Sequence, residues 1–567
     1  LIKLTQLKSK YNLHKNNDEV TLIEISDELE DLINVYEKRK TTVFTNTDIS
    51  KLLIDYKEVN DFSKKIQLEL YYNNQREGHL NKAITMHESS IYFKIRSRLN
   101  LKRSFSFKNM PSDILEQEKK LQNELSSSLK KTENINDVFK VEKQWEDFLD
   151  TLKTAYPKYH KMRYASINSS LENIQQRIPD NTTVIRYFFT GNDLNAYLLN
   201  RDIKKLFKLD ETALKKIISD LNKNKYNLEN TAEFLHQLYQ KLWKPFANDI
   251  TTKNITIIPD GNLYNLSFET LTPTKIKSFK DLATNSLLAK YNISYNYSLY
   301  LLEQNKKATN FKNSFIAFAP EFNDKMKESY KLAITDSINL DKTYLTLLQQ
   351  PFNVHLAKAY ANLCDSNYFL NENSTEHVFK QNASEHKIIH IGTHAESNNI
   401  SPELSRLLFA KNISDDNEDD YLYAYEIYDT SLNSNLAILT ACETGKPSYQ
   451  AGEGMISLAH AFNYAGSESI LTSLWKVDER STSEIIESFY KNINAGKPKD
   501  EALRLAKLDY INNTEGRTVS PKFWAGLVLM GDASPIEISN GIPLWQWLLI
   551  IGCVLLGIFF IIRHKKR

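Results

Sequence analysis

The chain has 567 residues, which at roughly 150 residues per domain is enough for three or four domains. Its 72 Lys and Arg against 70 Asp and Glu leave a net charge of +2, without the positive field of a nucleic-acid-binding protein. Only 15 Gly and 14 Pro argue against a turn-rich all-β protein and for long helices. Three widely spaced cysteines, Cys364, Cys442 and Cys553, exclude a disulfide scaffold and a Cys-rich zinc module.

The first 178 residues are polar, with apolar residues at helical spacing. Residues 1–105 include a segment, 69–99, that is typical of a tetratricopeptide-type hairpin, with Gly78 in the turn and Ala83 where the helices pack. An irregular helical bundle is the alternative, because too few copies are present to establish a repeat. The apolar spacing in 106–178 predicts a long helical hairpin that turns near residues 131–136 and connects this region to the next one.

The pattern changes near residue 180. Residues 184–200 are predicted to form a strand pair through Gly191 and Asn192, and 254–261 to form a buried strand that ends in a Pro-Asp-Gly turn. Buried β-branched runs then alternate with helical stretches, at 314–320, 387–394, 436–442 and 469–475. This alternation predicts one α/β domain over 180–535, with a mostly parallel sheet flanked by helices.

Two of the predicted strands end on His394 and Cys442. In an open α/β sheet, functional groups collect just beyond the carboxyl ends of the strands. An imidazole beside a thiol stabilises the thiolate and can then protonate a leaving amine, so this pair predicts a nucleophilic cysteine with a histidine acid/base. A buried, unreactive Cys442 is the alternative.

His390 and His394 have the spacing of a zinc-binding pair on a helix, but the segment is predicted to be a strand. Four residues along a strand separate the two rings by roughly 13 Å, so they cannot share a metal ion. We interpret His390 as a core histidine. No metal and no cofactor are expected, since no phosphate loop or metal-binding motif is present.

These blocks resemble a known family, the CHAT domain, a caspase-like and separase-related cysteine peptidase domain usually found downstream of tetratricopeptide repeats. The resemblance covers residues 180–533 and is specific, because five blocks occur in the same order. They are ITIIPDGNLYNLSFETL (255–271), IIHIGTHAES (388–397), LAILTACETG (436–445), GEGMISLAHAFNYAGSESILTSLWKVDERST (452–482) and KFWAGLVLMGD (522–532). The connector segment 110–125 resembles that of bacterial members.

The resemblance implies a cysteine endopeptidase that acts on a protein or peptide substrate, with Cys442 and His394 as its catalytic dyad. It implies an oxyanion hole from the backbone amides of Cys442 and Ala395, although the family usually has Gly at the position of Ala395. It also implies a preference for a basic residue before the cut, with Asp478 or Asp260 in the substrate pocket. Each acid has an alternative structural role, Asp260 in a plain turn and Asp478 as the cap of a helix that begins near residue 481.

The helical repeats are expected to bind a protein partner that targets or regulates the enzyme. Two other functions remain open. One is a catalytically silent caspase-like scaffold for protein–protein signalling at the membrane. The other is a transferase or esterase that uses the same thiol.

Residues 543–562 carry no charge, and a helix of 20 residues is about as long as the bilayer core is thick. Trp545 and Trp547 lie at one end, and the basic tail 563–567 closes the other, so the segment predicts one transmembrane helix that anchors the chain in the lipid bilayer. The tail is expected to stay in the cytoplasm, with the catalytic domain extracytoplasmic, in the periplasm of a bacterium. That orientation needs an export signal ahead of Leu1. A cytoplasmic, tail-anchored enzyme is the alternative.

Overall fold

The computed structural model describes most of the chain between residues 2 and 537. The described ranges are 2–13, 18–43, 46–101, 110–130, 135–164, 171, 173–223, 227–302, 311–334, 340–398, 404–412, 419–440, 442–443 and 453–537. At 442–443 and 453–457 the description covers the backbone alone.

The described part of the N-terminal region is helical, as predicted. Its helices are α1 (Ile2–Leu13), α2 (Glu19–Arg39), α3 (Asn46–Asn74), α4 (Glu77–Leu101), α5 (Ser112–Lys130), α6 (Ile135–Ala155) and α7 (Pro157–Arg163). Helices α3 and α4 form a hairpin, and the turn lies at Gln75 and Arg76, so Gly78 is inside α4 rather than in the turn. These helices have 29 and 25 residues, whereas a whole tetratricopeptide unit has about 34.

The helical region packs directly on the sheet. One face of α4 is apolar, with Leu80 and, three and four residues further on, Ala83 and Ile84. These side chains are buried against strand residues such as Val184 and Phe188. The α5 and α6 pair contributes Trp145 and other apolar side chains to the main core.

The described ranges of the α/β region contain fifteen strands. They are β1 (Thr182–Thr190), β2 (Asp193–Leu199), β3 (Lys204–Leu209), β4 (Asn254–Ile258), β5 (Asn292–Tyr295), β6 (Asn313–Ala319), β7 (Asn367–Leu370), β8 (His386–Ile391), β9 (His394–Glu396), β10 (Arg406–Leu408), β11 (Tyr421–Tyr423), β12 (Leu436–Leu439), β13 (Cys442–Glu443), β14 (Ser469–Ser473) and β15 (Leu527–Gly531). Eleven of them form one sheet, in the order β3-β2-β1-β4-β5-β15-β14-β12-β8-β6-β7. The other four form a small sheet, in the order β11-β10-β9-β13.

The large sheet is mostly parallel, which confirms the predicted mostly parallel α/β architecture, but it changes direction in the middle. Strand β14 is antiparallel to β15. Strands β1, β4, β5 and β15 therefore run one way, and β14, β12, β8, β6 and β7 run the other. As a result, the carboxyl ends of the two sets lie at opposite edges of the sheet.

Helices connect the strands and cover the sheet. They are α8 (Leu214–Lys223), α9 (Leu228–Leu242), α10 (Leu282–Asn285), α11 (Leu287–Lys290), α12 (Asp324–Ala333), α13 (Lys342–Leu345), α14 (Pro351–Leu363), α15 (Glu376–Asn382), α16 (Ala424–Asp429), α17 (Glu453–Tyr464), α18 (Glu479–Asn494), α19 (Lys499–Asn513) and α20 (Pro521–Trp524). Helices α14, α18 and α19 pack side by side, and α14 also contacts β6.

The predicted single-pass membrane localisation is corrected by the structure. No helix in the described ranges is long and apolar enough to cross a bilayer. The segment on which the prediction rested, 543–562, and the basic tail that follows it both lie outside the described residues.

Candidate active site

The strands β6, β8, β12 and β14 end at one edge of the large sheet, and the chain continues from β8 into β9 and from β12 into β13. Strands β9 and β13 pair in parallel, with Cys442 opposite His394 and Glu443 opposite Ala395. Neighbouring strands are about 4.8 Å apart. The backbone thus brings the two predicted catalytic residues side by side.

Gly392 allows the turn between β8 and β9 to approach α14 closely. A Cβ atom at Gly392 would lie 2.9 Å from the Cβ of Asn353, a distance that real side chains essentially never show. The motif Ile-Gly-Thr-His therefore has its glycine where the strand end meets the first turn of α14.

The His394 side chain is only 3% exposed, and both of its nitrogens face the segment before α14. Its Nε2 lies 2.7 Å from the carbonyl oxygen of Leu348. Its Nδ1 lies 3.3 Å from the side-chain amide nitrogen of Gln350. Burial lowers the pKa of His394 to about 4; the Leu348 carbonyl opposes this shift, and Lys476 and Lys327 reinforce it. The imidazole is therefore neutral at pH 7. Because a carbonyl can only accept, the proton is on Nε2, and Nδ1 has the in-plane lone pair that accepts the Gln350 side-chain amide.

Three polar residues that the sequence did not single out hold this edge together. Gln350 donates its backbone N–H to the carbonyl of Glu321 at 2.8 Å. Glu479 accepts the backbone N–H of Asn353 at 3.0 Å, so its carboxylate caps the first turn of α14. The side-chain amide of Asn353 donates to the carbonyl of Thr440, at the end of β12, over 3.4 Å.

Ala395 is fully buried and lies in the extended backbone of β9, between β10 and β13. An alanine is therefore compatible with this backbone. In an interior strand, however, each N–H points toward a neighbouring strand. Among the described strands, β13 lies at the margin of the small sheet, and within that part of the chain the amide of Cys442 is less constrained by strand pairing than that of Ala395.

The other described cysteine has a different environment. Cys364 caps the C-terminal end of α14 and is partly buried. Burial raises the pKa of its thiol, with an opposing contribution from Tyr360. A thiol with a raised pKa forms little thiolate at neutral pH, so Cys364 is poorly suited to be a nucleophile. Cys553 lies outside the described residues.

The two acids predicted for the substrate pocket lie at opposite edges of the sheet. Asp478 follows β14, at the same edge as His394, and it caps α18 by accepting the backbone N–H of Ser481 at 2.9 Å. Asp260 follows β4 and accepts the backbone N–H of Phe189 at 2.8 Å. The structure does not bring Asp260 to the His394 and Cys442 pair.

His390 lies inside the core rather than at the sheet edge. It is completely buried, and its Nδ1 lies 2.6 Å from the hydroxyl of Tyr490. Burial lowers the pKa of His390 to about 3. Within the described ranges, no group of three His, Cys, Asp or Glu side chains is placed to hold a metal ion.

A comparison with protein families matches the CHAT domain to residues 232–532, which is more than half of the chain. The chain belongs to the CHAT domain family. The matched region begins inside α9 and contains every strand from β4 to β15, with both His394 and Cys442. Strands β1 to β3 extend the same sheet ahead of the matched CHAT domain.

The CHAT domain chain is also similar to a curated protein and to solved structures. It is 29% identical over 110 residues to tetratricopeptide repeat protein 28 of Homo sapiens. The aligned stretch covers 19% of this chain and 4% of that protein. The Saccharomyces cerevisiae separase–securin complex matches at 10% identity with a TM-score of 0.41, over 93% of this chain and 51% of that chain. The complex of the pro- and mature domains of RgpB from Porphyromonas gingivalis matches at 9% identity with a TM-score of 0.29, over 58% of this chain and 78% of that chain.

This chain thus spans a small fraction of the curated human relative and about half of the separase chain. The predicted bacterial origin stays a prediction.

Proposed function

We propose that this CHAT domain protein is a caspase-like cysteine endopeptidase, with Cys442 as nucleophile and His394 as general acid/base. The observation that supports this most directly is the pairing of β9 with β13, which sets Cys442 opposite His394 at the carboxyl edge of the sheet. The neutral imidazole of His394, with its proton on Nε2, supports it as well.

In the proposed reaction, Nδ1 of His394 takes the proton of the Cys442 thiol, and the sulfur attacks the carbonyl carbon of the scissile peptide bond. The tetrahedral intermediate collapses as the carbon–nitrogen bond breaks, and the imidazolium gives its proton to the leaving amine. Water, deprotonated by the same imidazole, then hydrolyses the thioester and regenerates the thiol. The carbonyl of Leu348 accepts a hydrogen bond from Nε2–H throughout and so stabilises the imidazolium.

The oxyanion would be stabilised by backbone amides. We propose the amides of Cys442 and Ala395 for this role. Because Ala395 lies between two strands, the Cys442 amide is expected to contribute more to the stabilisation of the oxyanion than the Ala395 amide.

A thiol-directed peptide electrophile applied to the full chain tests the dyad. We expect it to label Cys442 and to spare Cys364, and labelling should fall sharply in His394→Ala, because the thiolate loses its partner. His355→Ala is the matched control, since His355 is an exposed histidine on α14. New substrate N-termini that appear with wild type and not with Cys442→Ala would identify the cleavage products.

Equal labelling of Cys442 and Cys364 that does not depend on His394 would contradict the proposal. The catalytically silent scaffold would then be the better description of the domain.

We further propose that Asp478 contributes a negative charge to a pocket for a basic substrate residue. Asp478→Asn is a clean test, because Asn caps a helix about as well as Asp and so the cap of α18 is retained. Cleavage of a peptide with a basic residue before the cut should fall about tenfold or more, which is typical for a charged hydrogen bond. Asp18→Asn, at the cap of α2, should leave cleavage unchanged. If Asp478→Asn cleaves the same peptide as well as wild type, the pocket assignment is wrong.

For the helical region, we propose that it binds a protein partner that targets or regulates the peptidase. Several apolar side chains on its surface are exposed and available for such a contact, among them Val20, Val35 and Ile54.

A further inference from the structure

The Gln350 side chain occupies an unusual position for an amide. It is 2% exposed, it lies directly before α14, and its Nε2 points at Nδ1 of His394 over 3.3 Å. No part of the proposed reaction requires an amide at this position.

Nδ1 can bind only one donor at a time. The Leu348 carbonyl holds the single imidazole proton on Nε2, so Nδ1 has one in-plane lone pair. That lone pair is the acceptor for the Cys442 proton in the proposed reaction, and in the structure it accepts an N–H of Gln350. The amide and the thiol therefore compete for the same atom.

The backbone of Gln350 is held in place, whereas its side chain is not. Its backbone N–H is bonded to the carbonyl of Glu321, and Glu479 and Asn353 fix the first turn of α14 that follows it. The other end of the amide is less well accommodated, since Oε1 is buried without a hydrogen-bond partner in the described part of the chain. A buried acceptor without a partner is costly, so the amide can leave this position at little net cost.

We propose that Gln350 is a positioning residue that orients the His394 ring and keeps Nδ1 from the Cys442 thiol until the amide is displaced. The site is then latent in the state described, and movement of the Gln350 side chain frees it for proton transfer from the Cys442 sulfur to Nδ1. The inference rests on the proposed function of the same dyad.

The test measures the alkylation rate of Cys442 by iodoacetamide in the full chain, with mass spectrometry of the peptide that contains it. Gln350→Met keeps the length of the side chain and removes the N–H donor. We expect Cys442 to react about fivefold faster at pH 7, the factor for losing one neutral hydrogen bond. Gln349→Met is the matched control, because Gln349 is exposed, and it should react as wild type does.

Two further readouts separate this role from general loosening of the fold. The gain should vanish in the double variant Gln350→Met with His394→Ala, and Cys364 should react at the same rate in all variants. In Gln350→Met, the midpoint of the pH profile of Cys442 alkylation should move to lower pH. Without the Gln350 donor, Nδ1 is easier to protonate, so the imidazolium supports the Cys442 thiolate at a lower pH. Lys327 of α12 and Lys476 after β14, which also lower the pKa of His394, are unchanged in this variant.

The outcomes are distinguishable. If His394→Ala slows the wild-type reaction but Gln350→Met reacts no faster than wild type, the Gln350 proposal is overturned and the dyad stands. If His394→Ala has no effect on Cys442, the proposed function itself fails. Gln350→Leu repeats the test with a shorter apolar side chain, so that a folding defect in one variant does not decide the result.

Discussion

At the scale of single residues, Gly392 is a sterically constrained position beside the candidate site. Its missing side chain lets the end of β8 lie against Asn353, where an added Cβ would be 2.9 Å from the Cβ of that residue. We expect Gly392→Ala to cost about 1–3 kcal/mol of stability, as overpacking typically does. Thermal unfolding measures the loss, and the alkylation rate of Cys442 should change as well, because Asn353 also bonds the end of β12.

Gly78→Ala is the control for this substitution. A Cβ at Gly78 would meet no atom within 4 Å, and the residue lies in the first turn of α4, so no loss of stability is expected. If Gly392→Ala is as stable as Gly78→Ala, the close approach of α14 to the strand end is not a constraint.

At the scale of elements, two ion pairs of very different burial join the described side chains of α4 to the sheet. Glu88 and Arg186 are both completely buried, with Nε 2.6 Å from Oε1, and Glu88 also accepts the hydroxyl of Ser298 and the backbone N–H of Leu299. Lys204, by contrast, pairs at 2.8 Å with Glu77, which is largely exposed. The buried pair joins α4 to β1, and the exposed pair joins α4 to β3.

We expect Glu88→Gln to destabilise the protein by about 3–5 kcal/mol, because it removes the carboxylate that is paired directly with the buried Arg186 guanidinium. Glu77→Gln, on the same helix, should cost less than about 1 kcal/mol, as exposed pairs do. Urea unfolding of the two variants beside wild type measures both values. Equal losses would show that the buried pair does not hold α4 on the sheet.

This contact also sets the position of the helical region relative to the candidate site. Glu88 bonds residues beyond the end of β5, and Arg186 bonds the carbonyl of Pro259 beyond the end of β4. Both strand ends lie at the edge opposite to His394 and Cys442, since the sheet changes direction between β15 and β14. Any influence of a partner bound to α4 would have to cross the sheet to reach the dyad.

For the whole molecule, the local patterns in the sequence predicted the strands well and their arrangement only in part. The turn at Gly191 and Asn192 and the buried run of β8 follow from residue types alone. The predicted strand 387–394 is broken after Ile391, however, so His394 begins β9 instead of ending β8. The reversal of direction at β14 and β15 does not, because strand order depends on long-range packing. Asp260 and Asp478 each follow a buried strand, but β4 and β14 run in opposite directions, so the sequence could not show that the two acids lie at opposite edges of the sheet.

The candidate site shows the same division. Cys442 and His394 could be predicted because each follows a buried run, whereas Gln350, Asn353 and Glu479 lie in segments distant in sequence that only the fold brings to His394. The signal that was present, a proline directly after Gln350, predicts the start of a helix and says nothing about what the preceding side chain contacts.

The buried histidines should make the stability of the whole molecule depend on pH. Burial lowers the pKa of His394 to about 4, that of His390 to about 3, and that of His87 well below its ordinary value. In the unfolded chain all three titrate near pH 6.5, so below that pH the unfolded state binds more protons. Their contribution is therefore fully present above about pH 6.5 and is lost as the pH falls, by up to about 1.4 kcal/mol per unit for each.

Asp500 acts in the opposite direction, because burial raises its pKa to about 6 and the folded state then takes up a proton on acidification. His386, whose pKa is also lowered by burial, adds to the histidine contribution, whereas Glu269, whose pKa is raised by burial, opposes it. We expect the histidines to dominate, so the free energy of unfolding should be lower at pH 5.5 than at pH 6.5. Urea unfolding at constant ionic strength measures the difference. His390→Asn can still bond the Tyr490 hydroxyl. This variant should reduce the difference in unfolding free energy between pH 6.5 and 5.5 by about 1 kcal/mol, because about one proton fewer is bound on unfolding. A stability that is constant or rises between pH 6.5 and 5.5 would mean that these histidines are not held neutral by the fold.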